Sequence, residues 1–90
     1  MYKFLNGNSY DGEWFEGKMQ GHGIFKYVSG SVYEGELQNG NYNGYGTMRY
    51  AKGDIYEGQW KDDKKHGKGK YTYANGKVKC GYWDNDVFVS

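Results

Sequence analysis

The sequence has little cysteine, little net charge and no long apolar run, and each shortage excludes a class of protein. Cys80 is the single cysteine, so neither an internal disulfide nor a cysteine-based zinc cluster can form. Small secreted domains usually need disulfides, and we therefore expect an intracellular, cytoplasmic protein. No apolar stretch could span a bilayer, and residues 1–7 lack the core of a signal peptide.

The net charge of +1 over 90 residues provides no general basic field, so nucleic acid is not an expected partner. The charge is unevenly placed, since residues 1–45 carry −2 and residues 46–90 carry +3. The length fits one domain, close to the smallest size at which a core is stable without help.

Catalytic and metal-binding patterns are also missing. His22 and His66 stand at different places in the pattern described below, and no nucleophile–base or metal-ligand spacing occurs. Pairs such as Gly21-His22-Gly23 open predicted strands rather than helices, which excludes a phosphate-binding loop. We expect no enzyme activity, no cofactor and no metal.

Glycine and aromatic residues are abundant, and they recur every 23 residues without insertion or deletion. The recurring positions are Tyr10/Tyr33/Tyr56, Gly12/Gly35/Gly58/Gly81, Trp14/Leu37/Trp60/Trp83 and the pairs Gly21/Gly23, Gly44/Gly46 and Gly67/Gly69. This period divides one repeat domain into an N-terminal half repeat 1–9, repeats 10–32, 33–55 and 56–78, and a C-terminal half repeat with a tail, 79–90. A fixed period of this length is typical of a repeat architecture.

Within each unit the residues alternate with a period of two, which predicts strands. The expected strands are 1–5, 10–15, 21–27, 33–38, 44–50, 56–61, 67–73 and 79–83. This alternation places 13 of the 18 aromatic residues on one face. Short connections make sequential strands antiparallel neighbours, so we predict an all-β, single-layer antiparallel meander that is twisted, curved and open.

Two kinds of turn connect the strands. Dipeptides such as Asn6-Gly7 and Asn75-Gly76 predict short turns, because Asn-Gly is the preferred two-residue hairpin loop. The other turn, 15–20 in the first repeat, is predicted to be longer, with Gly17 in a left-handed conformation that Asp63 and Asp86 also accept at the matching places. Glycines within strands are expected to lie beneath aromatic rings of neighbouring strands.

The pattern Tyr-x-Gly-x-Trp followed by Gly-x-Gly-x-x-x-Tyr and a turn glycine resembles the MORN repeat (membrane occupation and recognition nexus). The resemblance is clearest at 10–27, 33–50 and 56–73 and extends over essentially the whole chain. Leu37 replaces the usual Trp, and Lys79 replaces the usual Tyr. The resemblance implies a curved sheet with one hairpin per repeat, and roles in scaffolding, cytoskeletal or junctional attachment, and peptide or lipid contact.

The aromatic face is the predicted binding site. A single sheet has no second layer to cover this face, and exposed Tyr and Trp residues anchor protein interfaces. We expect a scaffold or adaptor that binds an amphipathic helix or an extended peptide of a partner protein on a concave aromatic face. The predicted contact residues are Tyr10, Trp14, Phe25, Tyr27, Tyr33, Leu37, Met48, Tyr50, Tyr56, Trp60, Tyr71 and Tyr73.

The alternative hypothesis is peripheral attachment to anionic phospholipid through the basic third repeat. Its candidate residues are Lys61, Lys64, Lys65, Lys68 and Lys70. Basic residues near a membrane surface add about 1 kcal/mol each to binding of anionic lipid. Against this, Asp62 and Asp63 interrupt the cluster, and Lys68 and Lys70 are expected to face cross-strand acids such as Glu57.

The ends of the meander raise the question of self-association. Open edges are predicted at 1–5 and 79–83, and unprotected edges favour pairing, so a homodimer through the terminal strands is one expectation. The segment Val87-Phe88-Val89 either covers one edge or docks onto a second copy. Cys80 lies on the last predicted strand and is expected to be an ordinary reduced thiol.

Overall fold

The computed structural model describes residues 2–90, and these form one antiparallel sheet of nine strands in chain order. The strands are β1 (Tyr2–Lys3), β2 (Ser9–Phe15), β3 (Lys18–Lys26), β4 (Val32–Gln38), β5 (Asn41–Arg49), β6 (Ile55–Lys61), β7 (Lys64–Thr72), β8 (Val78–Asp84) and β9 (Val87–Phe88). The predicted all-β meander is therefore confirmed. Met1, the first residue of the predicted 1–5 strand, lies outside the described residues.

A line of glycines crosses the middle of the sheet. Gly23 pairs with Gly35 between β3 and β4, Gly46 pairs with Gly58 between β5 and β6, and the register continues through Gly69. Because each of the strands β2 to β8 contributes a residue without a side chain at the same level, rings from neighbouring positions can lie flat on the backbone. The line of glycines creates the space in which the aromatic residues pack.

The turn after β2 contains only two residues, which corrects the prediction of a longer turn. Glu16 and Gly17 separate β2 from β3, and both have positive φ (50° and 77°). Asp62 and Asp63 do the same between β6 and β7 with φ of 49° and 70°. Two consecutive left-handed residues form the tight turn whose twist matches the flanking strands. The left-handed conformations predicted for Gly17, Asp63 and Asp86 are confirmed.

The other turn is the wider one, and here the expected Asn-Gly loop was wrong. Tyr27 accepts a hydrogen bond from the N–H of Gly30 (3.0 Å), and its own N–H donates to Ser31 (2.9 Å). Among the turn dipeptides only the glycine has positive φ, as at Gly30 (105°) and Gly76 (93°), whereas Asn75 does not. The asparagine therefore occupies an ordinary right-handed turn position, and the glycine alone provides the left-handed residue.

A bulge early in each long strand accounts for the two-residue turn that precedes it. Gly12 faces Gly23, yet Trp14 faces Met19, so β3 has extra residues opposite Glu13. The bulge contains Gly21 at φ 79°, and the carboxylate of Glu13 accepts a 2.7 Å hydrogen bond from the N–H of His22. Because of the bulge, β3, β5 and β7 each start three residues earlier than predicted, at 18, 41 and 64.

The C-terminal tail covers the outer side of β8. Phe88 pairs with Trp83, the N–H of Val89 donates to the carbonyl of Tyr82 (2.8 Å), and Tyr82 donates to Ser90 (3.0 Å). The tail pairs with β8 at residues 82–84, so the edge predicted to be open at 79–83 is covered at Tyr82 and Trp83. Self-association through the terminal strands stays a prediction.

Candidate functional site

The two faces of the sheet differ in composition. The buried residues form one cluster on the face that carries the aromatic residues, and they are Tyr10, Tyr33, Leu37, Tyr42, Met48, Tyr56, Trp60, Tyr71 and Trp83. Partly buried residues pack against it, namely Phe4, Met19, Phe25, Tyr27, Tyr50, Tyr73 and Phe88. We call this side the aromatic face and the opposite side the polar face. The chain thus builds its core in one layer, from rings that cover its own backbone.

One tyrosine per repeat is locked over the glycine line. The hydroxyl of Tyr33 donates a 2.7 Å hydrogen bond to the carbonyl of Glu36, and the ring lies over Gly46. Tyr10 and Tyr56 make the same bond to the residue three positions later, at 2.9 and 3.0 Å. The three rings are almost completely inaccessible to solvent. The expectation that rings lie across strand glycines is confirmed.

The tryptophan position contributes a buried side chain at Leu37, Trp60 and Trp83, whereas Trp14 is exposed. The indole N–H of Trp60 donates to the carbonyl of Gly46 (3.0 Å), and Trp83 repeats this bond to Gly69 (3.1 Å). In the second repeat the smaller Leu37 faces Tyr42 across the strand pair. The ring of Tyr42 stacks on Tyr33 with centroids 3.8 Å apart, so Tyr42 fills the room that an indole would need.

Burial divides the twelve predicted contact residues into two groups. Seven are buried in the cluster: Tyr10, Tyr33, Leu37, Met48, Tyr56, Trp60 and Tyr71. Phe25, Tyr27, Tyr50 and Tyr73 are half-buried, and Trp14 is 44% exposed. The accessible aromatic surface therefore belongs to the second group. Contact of any of the twelve with a partner stays a prediction.

A groove opens on the aromatic face in the middle of the sheet. Its cavity of about 460 Å³ is lined by Met19, Phe25, Tyr27, Gly40, Tyr42, Met48, Tyr50, Trp60, Asp63, Lys65 and Asp86. The predicted contacts Phe25, Tyr27, Met48, Tyr50 and Trp60 meet here, whereas Trp14 and Tyr73 lie outside it. We call this cavity the central groove.

Several residues of the central groove were missed by the sequence prediction. Met19, Tyr42 and Lys65 hold one repeat position, directly opposite Trp14, Leu37 and Trp60 respectively. The predicted strands began after this position, so its side chain was not assigned to a face. Continuing the period of two backwards through Gly21 would have placed Met19 on the aromatic face.

Lys65 is a cation enclosed by the aromatic face. Its ammonium lies 5.5–5.9 Å from the ring centroids of Tyr50, Tyr56, Tyr71 and Trp83. It also approaches the carboxylate of Asp86 at 3.6 Å, and its side chain is only 12% exposed. Such a cation is held by the negative faces of the rings and by the carboxylate together. Lys65 therefore lies apart from the other four lysines of the proposed lipid site.

Burial changes the ionisation of the groove tyrosines. It raises the pKa of Tyr50 to about 12, with the negative charge of Asp86 adding to the effect. It also raises the pKa of Tyr27 and of Tyr42 above the ordinary value, and the carboxylate of Asp63 contributes to both shifts. The hydroxyls thus remain neutral at physiological pH, and the negative charge of Asp63 acts on the Tyr27 and Tyr42 hydroxyls inside the groove.

A further carboxylate, that of Asp54, is buried between the second and third repeats. It accepts hydrogen bonds from the Tyr71 hydroxyl (2.7 Å) and the Ala74 N–H (2.9 Å), and Lys52 lies 3.3 Å away. The bond from Tyr71 is the main cause of the lowered pKa of Asp54, and Lys52 and Ala74 assist. Its acceptors are used within the chain, so Asp54 acts as a structural clamp between adjacent repeats.

The polar face carries the remaining basic residues. Lys61 pairs with Lys64 beside the turn. Lys70 faces Glu57 as predicted, whereas Lys68 faces Tyr82 rather than the expected acid. These four lysines alternate with residues of the aromatic face and so lie on the same side of the sheet. Glu57 offsets part of their charge, which leaves a modest basic patch on the third repeat.

Within residues 2–90 no group of three His, Cys, Asp or Glu side chains is placed to hold a metal ion. No helix in this part of the chain is long and apolar enough to cross a membrane.

The architecture defines a single-layer β-repeat protein whose unit is one hairpin with a bulge. Comparison with protein families gives the same three units, because the MORN repeat matches residues 10–32, 33–55 and 56–78. The chain belongs to the MORN-repeat family. Repeats of this family are generally non-catalytic modules that bind proteins or membranes. Among curated proteins, no sequence matches the chain.

Proposed function

We propose that this chain is a non-catalytic scaffold or adaptor module that binds a segment of a partner protein on its aromatic face. The central groove is the observation that supports this proposal most directly. Its walls combine half-buried rings of Phe25, Tyr27 and Tyr50 with the deeper surface of Met48 and Trp60. Ligand sites have this character, since a concave apolar surface with a few polar groups provides both area and orientation.

The shape of the site favours an elongated ligand. The sheet measures 37 × 23 × 16 Å along its principal axes, and the groove lining draws residues from all three repeats. A partner helix or extended strand laid across the repeats would contact the half-buried rings without opening the core. The buried residues beneath, such as Tyr33 and Tyr56, would then support the binding surface rather than contact the ligand.

A pair of tyrosine variants tests the proposal. Tyr50→Ser removes a ring from the groove, and Tyr45→Ser removes a ring from the polar face, where Tyr45 is 59% exposed. Affinity capture from a cell extract with each purified protein is followed by identification of the retained partners. We expect Tyr50→Ser to lose partners that the unchanged protein and Tyr45→Ser both retain.

Circular dichroism and urea unfolding of both variants provide the control for folding. If Tyr50→Ser remains folded and retains every partner, the aromatic face is not the binding surface. Loss of partners with Tyr45→Ser alone would instead assign binding to the polar face.

A second candidate function is attachment to anionic phospholipid. It is supported by the four lysines that share the polar face of the third repeat, Lys61, Lys64, Lys68 and Lys70. The contribution of Lys65 to such a surface is small, because its ammonium is enclosed on the other side of the sheet. Four lysines without a deep pocket would give weak binding that salt screens strongly.

Co-sedimentation with phosphatidylserine vesicles over a salt series tests the lipid function. We expect the double variant Lys64→Gln/Lys68→Gln to reduce sedimentation at low salt. Lys26→Gln, a change on the polar side of the first repeat, is the matched control. Absence of sedimentation of the unchanged protein at low salt would exclude this function.

A further inference from the structure

The central groove is lined by a solvent-exposed carboxylate, Asp63, that forms an ion pair with no side chain among residues 2–90. Within residues 2–90 the ion pairs are Lys52–Asp54, Lys65–Asp86 and His66–Asp84. Two carboxylates line the groove, Asp63 and Asp86, and Lys65 pairs with the second only. Asp63 uses one oxygen to accept a 2.7 Å hydrogen bond from the N–H of Tyr42. Its charge and its second oxygen remain for another cation.

The protein itself shows how this surface holds a cation. Lys65 is surrounded by Tyr50, Tyr56, Tyr71 and Trp83, with Asp86 as the counter-charge. Lys52 also lies over a ring, 5.9 Å from the centroid of Tyr50, while it pairs with Asp54. Rings together with a carboxylate thus attract ammonium groups at two places on this face.

The surroundings of Lys65 recur one repeat earlier with a different residue at the centre. Moving back by 23 positions replaces Tyr50 by Tyr27, Trp83 by Trp60 and Asp86 by Asp63. The place of Lys65 is taken by the neutral Tyr42, which stacks against Tyr33. The surroundings of Tyr42 therefore have the carboxylate of Asp63 and three of the four rings, Tyr27, Tyr33 and Trp60, but lack the cation.

We propose that the central groove binds a lysine or arginine side chain of a partner segment, against the rings of Tyr27 and Tyr50 and beside the carboxylate of Asp63. The inference rests on the function proposed above and adds the chemistry of the ligand. The uncompensated charge of Asp63 selects a cation, and the rings favour one with a broad apolar stem or a flat guanidinium. Phe25 and Met48 would contact the apolar residues that flank it in the partner.

The field of Asp63 within the groove supports this assignment. The same carboxylate contributes to the raised pKa of Tyr33 on β4, of Tyr42 on β5 and of Tyr27, which follows β3 directly. A cation placed there would be stabilised by a charge that the fold has already positioned.

The test uses a small cationic probe and its neutral isostere. N-acetyl-argininamide and N-acetyl-citrullinamide are titrated separately into the protein, and NMR follows the methyl groups of Met19 and Met48, which line the groove. We expect the arginine probe to shift both signals and the citrulline probe to bind about fivefold more weakly, the effect of one partly exposed charge interaction.

Two variants with opposite expected effects make the test specific. Asp63→Asn keeps the side-chain oxygen that accepts from Tyr42 and tolerates φ of 70°, so the turn is preserved while affinity for arginine falls about fivefold. Lys65→Met removes the internal cation, and Met19 shows that the repeat accommodates methionine there. Its affinity for the arginine probe should rise about threefold.

Asp62→Asn is the matched control for Asp63→Asn. It removes an equal charge from the adjacent turn residue, and Asn39 and Asn85 already occupy the same repeat position. We expect its affinity to be unchanged. An effect equal to that of Asp63→Asn would assign the result to net charge and overturn the proposal.

The outcomes separate this inference from the function on which it rests. If arginine and citrulline probes shift the methionine signals equally, the groove binds ligands but does not select a cation, and only the inference fails. If the arginine probe shifts polar-face amides and leaves Met19 and Met48 unchanged, both fail. Sedimentation with phosphatidylserine vesicles combined with no shift by the arginine probe would assign the ligand to lipid and would likewise overturn the proposal.

Discussion

The ring of Tyr33 lies so close over Gly46 that a methyl group added to Gly46 would overlap the tyrosine hydroxyl and ring carbons. The hydroxyl reaches past the glycine to donate a hydrogen bond to the carbonyl of Glu36 at 2.7 Å. Gly46 does not have positive φ, so this glycine is required for space rather than for an unusual backbone conformation. Tyr10 over Gly23 and Tyr56 over Gly69 repeat the arrangement.

Gly46→Ala should therefore destabilise the sheet. We expect a loss of about 1–3 kcal/mol in the free energy of unfolding, because the added methyl displaces the Tyr33 ring from its packed position. Urea unfolding followed by tryptophan fluorescence measures the change. Gly17→Asn is the control, since Gly17 has open space around it and Asp63 occupies its repeat position at φ of 70°. Equal losses for the two variants would contradict the steric explanation.

Leu37 and Tyr42 should behave as a coupled pair. Leu37→Trp alone places an indole in the space that Tyr42 fills beside Tyr33, and we expect a cost of about 1–3 kcal/mol from overpacking. Adding Tyr42→Met recreates the Trp14–Met19 pair of the first repeat and should recover part of the loss. A double-mutant cycle of urea unfolding free energies measures the coupling. Additive effects of the two changes would show that the pair does not share one space.

The bulge of the second repeat should depend on an acceptor at position 36. The carboxylate of Glu36 accepts a 2.5 Å hydrogen bond from the N–H of Tyr45, and Gln59 serves Lys68 in the same way at 3.1 Å. We expect Glu36→Ala to cost about 1 kcal/mol and Glu36→Gln to cost much less, because the amide oxygen can still accept. Amide hydrogen exchange at Tyr45 reports the bulge directly. Identical exchange rates in the two variants would exclude the side-chain acceptor as its support.

Alkaline pH should unfold the protein through its tyrosines. Burial raises the pKa of Tyr50 and of Tyr56 from 10.0 to about 12, so the neutral hydroxyls are favoured in the folded chain. Their stabilising contribution is complete below pH 10, where the unfolded chain is also protonated. It is lost as pH rises from about 10 towards 12, because only the unfolded chain then ionises. Thermal unfolding measured across this range should show a falling midpoint.

Tyr50→Phe provides the control for the alkaline effect. It retains the ring and removes one of the hydroxyls with a raised pKa. We expect the midpoint to fall less steeply with pH than in the unchanged protein. A slope that does not change would mean that Tyr50 takes no part in the pH dependence.

The sequence predicted the sheet and its aromatic face because both depend on strict periods. Tyr10, Tyr33 and Tyr56 share a repeat position, and the period of two placed them on one side together with Phe25 and Tyr27. Alternation and repetition report which way a side chain points, and the structure bears this out in the buried cluster. The antiparallel order followed from the shortness of the connections.

The turns and the starts of the long strands were not predicted, although the period of two continued through Gly21 and Gly67 reaches Met19 and Lys65. Gly21 reads as an ordinary strand residue, yet its φ of 79° forms a bulge that changes the pairing opposite Glu13. The left-handed conformation is visible only once the backbone hydrogen bonds are known. Because the predicted strand began at Gly67, Lys65 was grouped with a basic cluster, although its side chain lies among the rings of the other face.

The repeat position that faces the tryptophan is where the units of the chain differ in side-chain chemistry. Met19, Tyr42, Lys65 and Phe88 hold this position in successive units, while the hydrogen-bonded backbone around them stays the same. Each unit thus keeps the same backbone and differs from the others at one variable side chain. Substitutions at this position and at the tryptophan opposite would change the polarity and charge of the aromatic face in one unit at a time. The hydrogen-bonded sheet would stay the same.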